Sequence, residues 1–200
     1  MTEAAVNHIR TVDPAFSLII DAAGPYDPRP PLGDAFAALL RSIVYQQLAG
    51  RAAAAIHGRV LELMDGPPSP KTLLSLTEAQ LRSAGLSGSK TAALIDLATK
   101  CSDATLPIGR LHELDDEEIV ENLCVVRGIG RWTAEMFLLF ELRRIDVWPV
   151  DDFAVRKGYA RLHGLDVVTP KELAVAGEPL RPYRSVAAWY CWRTMDTVLP

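Results

Sequence analysis

Between Leu123 and Asp152 the chain reads as two helical patterns split by Gly128-Ile129-Gly130, then a proline-bounded approach to two adjacent aspartates. No other stretch constrains the fold as much. A turn that short joins its helices as a hairpin. Glycine allows positive φ and close approach of another backbone. The helix that follows begins with unpaired N–H groups and a partial positive charge, which together make an anion site. Thr133 offers such an anion a hydroxyl, and Arg127 and Arg131 flank the turn with charge. Alone, Gly-x-Gly between helices also fits a plain helical hairpin.

Helical spacing dominates the rest of the chain. Asp34 is placed to cap a helix with Phe36, Leu39, Leu40, Ile43 and Val44 on one apolar face. Residues 52–64 carry Ile56, Val60, Leu61 and Met64 at the same period, and GPPSP at 66–70 breaks the chain. Thr77 with Gln80 spells a capping box. Residues 90–100 form another pattern on Ala93, Leu94 and Leu97. Asp115 or Asp116 opens the next helix, which buries Ile119, Val120, Leu123 and Cys124. Trp132, Met136, Leu139 and Phe140 form the stripe after the glycine turn. Residues 153–162 end at Gly164, Pro170 and Lys171 open a short helix, and an aromatic-rich helix covers 185–198. Strand alternation is nearly absent, so the expected class is all-α with about ten helices. Residues 85–97 echo residues 128–140 as glycine turn then helix. That makes Ser87 and Lys90 candidates for a second phosphate contact, although two ordinary helix starts explain the echo equally well.

Composition narrows the function classes. Apolar residues make up 49% of the 200, enough for a sizeable core. No apolar run reaches the roughly 18 residues of a membrane span, and the first ten residues lack the pattern of a signal peptide. A cytoplasmic location without membrane attachment is expected. Cys101, Cys124 and Cys191 match no zinc or cluster spacing. Net charge is -4, but it is uneven: 10 Lys/Arg face 15 Asp/Glu over residues 1–119, and 11 face 10 over 120–200. Screening acts over about 8–10 Å, so a local basic face can still hold phosphate, with modest and salt-sensitive affinity.

The loop Val147-Trp148-Pro149-Val150-Asp151-Asp152-Phe153 puts two acids at a helix start. One helix needs one cap, and Asp151 suits that role, leaving Asp152 for chemistry. With these residues in view, the chain resembles the helix-hairpin-helix DNA glycosylases, and among them the 3-methyladenine DNA glycosylase II type. Four segments match in order: Ile43 to Ala49, Leu123 to Ala134, the Pro-x-Asp-Asp segment, and Arg181 to Tyr190. The resemblance implies two helical subdomains flanking a cleft, one spanning about 35–115 and the other 1–34 plus 116–200 with the hairpin and the aspartate. It implies a monomer that flips an alkylated purine out of damaged double-stranded DNA and hydrolyses its glycosidic bond.

In that reading Asp152 is the catalytic carboxylate. Arg127, Gly128, Ile129, Gly130, Arg131 and Thr133 hold phosphate, and Gln46, Gln47 and Leu48 lie at the lesion, where Leu48 or Gln47 fills the gap. A cationic base would stack on an aromatic ring, with Trp132 the first candidate and Tyr190, Trp189 and Trp148 behind it. The resemblance also implies a sodium or potassium ion on the backbone carbonyls of Cys124, Val126 and Ile129, with no cofactor needed for chemistry. The chain departs from some relatives. Trp132 stands where bifunctional members carry a nucleophilic lysine, so no lyase step is expected. Three scattered cysteines cannot hold an iron–sulfur cluster. Only about 33 residues precede the first matched helix, fewer than the extra N-terminal domain of larger members needs. A glycosylase for deaminated or mismatched bases and a non-catalytic DNA-binding module are the alternatives. A metal-dependent phosphodiesterase built on Asp151 and Asp152 lacks a supporting His or Glu cluster.

Overall fold

The structure, a computed structural model, describes residues 2–197. The expected all-α class is observed. The helices are α1 (Thr2–Val12), α2 (Phe16–Ala23), α3 (Ala35–Tyr45), α4 (Gly50–Glu62), α5 (Pro70–Leu74), α6 (Glu78–Ser83), α7 (Gly88–Ser102), α8 (Asp116–Cys124), α9 (Arg131–Phe140), α10 (Phe153–Leu162), α11 (Pro170–Ala176) and α12 (Arg184–Asp196). Short 3-10 turns cover Ile108–Glu113 and Glu178–Leu180. Among the described residues there is no strand, and no helix is long and apolar enough to cross a membrane.

Local chemistry explains most helix starts. The Asp34 carboxylate accepts from Ala37 N–H, and reciprocal capping boxes open α5 at Ser69, α6 at Thr77, α8 at Asp115 and α11 at Thr169. Two helices, α1 and α2, lie in a region where none was expected. α1 buries only Ala5 and Ile9, too sparse a stripe to stand out as a helical period. Two burial expectations shift. Cys124 is exposed, and so is Trp132, while Thr133, Ala134, Phe137 and Leu138 turn inward. The buried face of α9 is thus rotated by about one residue from the expected stripe. α12 is described only to Asp196, and Val198, expected at its end, lies outside the described residues.

The chain divides into two compact units, Pro31–Phe137 and Met1–Pro30 with Leu138–Pro200. The division falls inside α9, not near residue 115, so the hairpin belongs with α3 to α8 instead of sharing a unit with Asp152. The physical reason is direct bonding. Gln46 before α4 and Asp96 of α7 both reach the hairpin backbone.

In the unit Pro31–Phe137, α3 packs on α4 and α7, and α5 and α6 also pack on α7. Leu39, Leu40, Ile43, Leu73, Leu81, Leu94 and Leu97 are fully buried there. Truncating one such leucine to alanine costs about 2–5 kcal/mol. In the other unit α10 packs on α12, and Phe16, Ile19, Val155, Leu173, Ala187, Tyr190 and Cys191 form its core. The α10–α12 approach depends on Gly158. A Cβ there would lie 2.1 Å from the Cys191 carbonyl oxygen, so no side chain fits without moving a helix.

Candidate active site

The hairpin begins where α8 ends at Cys124. Val126 N–H bonds to Leu123 O at 3.1 Å and Ile129 N–H to Val126 O at 3.0 Å, which folds the chain back before α9. Gly128 sits at φ +79, in the left-handed region that a side chain disfavours. Space alone would admit a methyl group, since a Cβ there would lie 3.4 Å from that of Ala93, so the backbone conformation is what calls for glycine. Gly130 differs. Among the described residues, and leaving aside its chain neighbours, nothing lies within 4 Å of a Cβ built on it. Its missing side chain is not demanded by internal packing, which suits close approach from outside.

Two side chains brace this turn. Asp96 Oδ2 accepts from Arg127 N–H at 2.7 Å, and Gln46 Nε2 donates to Gly128 O at 2.9 Å. Burial alone would raise the Asp96 carboxyl, but the Arg127 N–H and the Lys100 ammonium hold it below the ordinary carboxylate range. The turn is therefore positioned before any ligand arrives, and the N-terminal end of α9, with its partial positive charge, offers an anion site at little ordering cost.

Several residues expected to face DNA are engaged by other groups of the protein. Arg131 is paired end-on, through Nη1 and Nη2, with both oxygens of Glu117, which neutralises the charge expected beside the turn. Thr133 is only 6% exposed because it lies on the inward face of α9. Lys90 Nζ donates to Val44 O at 2.7 Å, closing the C-terminal end of α3 instead of reaching outward. Gln46 spends its side-chain N–H on the Gly128 carbonyl and so holds the hairpin. Ser87 is exposed and caps α7 through the N–H of Lys90.

Other candidates do face outward. Arg127 is exposed. Gln47 is exposed and held at φ +55, an uncommon conformation for a residue with a side chain. Leu48 beside it is 39% exposed, so it is not a core leucine. Trp132, at the first turn of α9, is 45% exposed.

Asp152 lies in the other unit. It is 7% exposed, and it caps α10, its Oδ1 accepting from Val155 N–H at 2.8 Å. Asp151, the expected cap, is exposed in the preceding turn. The same Oδ1 accepts from Trp192 Nε1–H at 3.0 Å. Trp192 stacks on Phe140, with ring centroids 5.5 Å apart and planes 27° from parallel. The carboxylate is thus fixed by a backbone donor and an indole donor, a cap and a catalytic candidate in one residue. Lys157, one turn on, places its ammonium 5.9 Å from the centroid of the exposed Phe153 ring.

The approach to Asp152 is anchored by the Arg181–Ser185 segment. Asp146 receives Arg181 Nη1 and Arg184 Nε, each at 2.7 Å. Ser185 Oγ donates to Arg144 O at 2.7 Å and accepts from Val147 N–H at 2.9 Å. These contacts give the C-terminal segment a clear job, which is to hold the loop that delivers the aspartate.

The aromatic candidates divide. Tyr190 is fully buried, with its hydroxyl donating to Gly24 O at 3.1 Å. Trp148 is 6% exposed, donates Nε1–H to Leu173 O at 2.8 Å and lies flush on Gly177, where a Cβ would be 2.3 Å from that nitrogen. Both serve the core instead of a pocket, because their polar atoms are satisfied inside it. Trp189 is half-buried, its ring edge-on to Tyr26 and Tyr190. Trp192 was not among the sequence-derived site residues. No local spacing signals it, since it lies 40 positions from Asp152.

A braced glycine hairpin and, separately, a fixed aspartate at a helix start are the features of the helix-hairpin-helix class of base-excision proteins. Residues 40–182 match the HhH-GPD superfamily of base excision DNA repair proteins, and the chain belongs to that superfamily. It is 32% identical over 200 residues to DNA-3-methyladenine glycosylase 1 of Schizosaccharomyces pombe, covering 97% of this chain and 87% of that one. DNA-3-methyladenine glycosylase 2 of Escherichia coli is 31% identical over 171 residues, 80% of this chain and 58% of its own. The solved structure of the S. pombe 3-methyladenine DNA glycosylase in complex with abasic DNA matches with TM-score 0.87 at 32% identity, over 96% of this chain and 97% of that one. A DNA-3-methyladenine glycosidase from Bacillus halodurans matches with TM-score 0.86 at 33% identity, over 95% and 88%.

Proposed function

We propose that this chain is a monofunctional DNA glycosylase that releases alkylated purines of the N3-methyladenine and N7-methylguanine type from duplex DNA. The observation that carries the reading is the buried Asp152 carboxylate, held by Val155 N–H and Trp192 Nε1–H. A carboxylate so held keeps its orientation as charge develops nearby, and preorganised charge is the largest common source of rate acceleration.

Alkylation at N3 or N7 makes the purine cationic and a good leaving group, so little acid catalysis is needed. As the glycosidic bond breaks, C1′ becomes oxocarbenium-like. Asp152 stabilises that charge and orients or deprotonates the attacking water. The electron pair of the broken bond leaves with the base, water supplies the hydroxyl at C1′, and the products are a free base and an abasic strand. The hairpin amides and Arg127 hold phosphate, and Gln47 or Leu48 fills the gap left by the flipped nucleotide. The exposed Trp132 offers its ring to the cationic base. It carries no amine, so the abasic strand stays intact.

The carbonyls of Cys124, Val126 and Ile129 suit a sodium or potassium ion. All three are neutral oxygens, those of Cys124 and Val126 at or just past the negative end of α8, and the Val126 oxygen keeps a second lone pair beyond its bond from Ile129 N–H. Such an ion would link hairpin to phosphate. Hydrolysis itself draws on no cofactor. The chain works as a monomer in the cytoplasm.

The test is base release from methylated duplex DNA by wild type and Asp152→Asn, with strand nicks scored before and after alkali. Release by wild type alone, with nicks only after alkali, is expected. Release by the variant would remove Asp152 from the mechanism, and nicks before alkali would overturn the monofunctional reading.

A further inference from the structure

In the unit of Met1–Pro30 and Leu138–Pro200, four side chains form a continuous series. The Arg29 guanidinium carbon lies 4.6 Å from the centroid of the Phe140 ring. Phe140 stacks on Trp192, and Trp192 Nε1–H donates to Asp152 Oδ1. The series starts at an exposed arginine and ends at the buried carboxylate.

The segment that carries Arg29 is built to stay in place. Pro28 and Pro30 flank it, which fixes φ on both sides and keeps Arg29 itself extended. Arg143 Nη2 donates to Pro28 O at 3.4 Å. Tyr26 sets its ring 5.4 Å from Trp189, edge to face. Arg29 therefore extends from a stiffened backbone onto the Phe140 ring, and little backbone freedom is lost when it does so. A guanidinium over an aromatic face is attracted by the ring's quadrupole, and it also shields that ring from solvent.

We propose that Arg29 is a positioning residue for base excision. It holds Phe140 against Trp192 and so fixes the indole whose N–H aims the Asp152 carboxylate. It touches neither base nor sugar, and the inference rests on the reading of Asp152 given above. Misplacement of a reacting group by about 1 Å can cost on the order of a hundredfold in rate. Partial loosening through two intervening rings should cost less, about tenfold.

The experiment uses full-length protein with Arg29→Met, Arg29→Lys, Phe140→Leu and Asp152→Asn. Three quantities are measured: single-turnover base release from methylated duplex DNA, affinity for duplex carrying an abasic site, and the Trp192 indole N–H resonance, assigned with Trp192→Phe. Arg29→Met is expected to slow release about tenfold and move the indole resonance while affinity stays within about twofold. Arg29→Lys should recover part of the rate, and Phe140→Leu should reproduce the Met phenotype. Unchanged rate and resonance in Arg29→Met would overturn the proposal. So would a loss of affinity with a shallower salt dependence at unchanged rate, which would make Arg29 a phosphate contact. If Arg29→Met does not fold, Arg29→Lys and Phe140→Leu decide the question on the same readouts. Turnover by Asp152→Asn would instead fault the catalytic reading, a result separable from any effect at Arg29.

Discussion

Trp192 Nε1–H donates to Asp152 Oδ1 at 3.0 Å, and the same oxygen accepts the N–H of Val155. One carboxylate oxygen therefore ties the start of α10 to the ring of α12. Because the aspartate is both helix cap and catalytic candidate, its two duties separate by substitution. An asparagine oxygen can still cap and still accept from the indole, but it carries no charge.

Asp152→Asn should therefore keep its stability and its DNA affinity while losing base release. Asp152→Ala should lose release too, and also about 1 kcal/mol of stability through the missing cap. Trp192→Phe leaves the carboxylate short of one charge-assisted bond worth about 1.5–3 kcal/mol, so excision should slow roughly ten- to hundredfold with affinity kept. Urea unfolding and single-turnover kinetics on the three variants check this. Equal stability of Asn and Ala variants would deny Asp152 its capping role.

The two hairpin glycines should fail in different ways. At φ +79, Gly128→Ala forces a side chain into the left-handed region, so it should cost about 1–2 kcal/mol of stability. Gly130→Ala meets no protein atom and should leave unfolding within about 0.5 kcal/mol. Its methyl group faces outward, so it should weaken binding to lesion-free and damaged duplex alike. Unchanged affinity for both duplexes would show that no phosphate approaches Gly130.

How much of this was legible in the sequence depends on the range of the contact. Capping is local, so Asp34, Thr77 and Asp115 announced their helices from residues three positions apart. The turn at Gly128 and the aspartate pair were readable for the same reason. What lay hidden was tertiary. Lys90 closes α3 through a carbonyl 46 positions away, Arg131 is engaged by Glu117 at 14, and Trp192 reaches Asp152 at 40. A charge looks available in sequence whenever its partner is distant. α1 stayed hidden because Ala5 and Ile9 are a sparse signal that only packing makes helical.

The Arg131–Glu117 pair suggests a measurable competition. The Arg131 hydrogen bond holds Glu117 below the ordinary carboxylate range, and both groups are on the surface, where such pairs are weak and salt-screened. Glu117→Gln removes a negative charge beside the hairpin and releases the guanidinium toward phosphate. Binding to lesion-free duplex should tighten, and the slope of log affinity against log salt should steepen by about 0.9, one extra phosphate contact. Arg131→Ala in the same background should abolish the gain. A slope identical to wild type would show that Arg131 stays out of reach of DNA even when freed.

Stability should also depend on His163. Its Nε2 lies 2.9 Å from Asp13 Oδ2, its Nδ1 is 2.9 Å from Tyr159 O, and its ring stacks on Tyr159. The Asp13 carboxylate raises the imidazole above its ordinary value, against the pull of burial. The folded protein thus binds this proton more tightly than the unfolded chain does. The resulting stabilisation is complete below about pH 6.5, the unfolded value, and is lost as pH rises through the folded one. His57 runs the other way. Burial and Arg41 lower it, so it costs stability only below about pH 6.5 and is silent above. Urea unfolding of wild type beside His163→Gln between pH 6.5 and 8 therefore reads out His163 without interference from His57. Wild type should lose stability across that window and His163→Gln should lose less, whereas parallel pH profiles would mean that His163 binds its proton equally in both states.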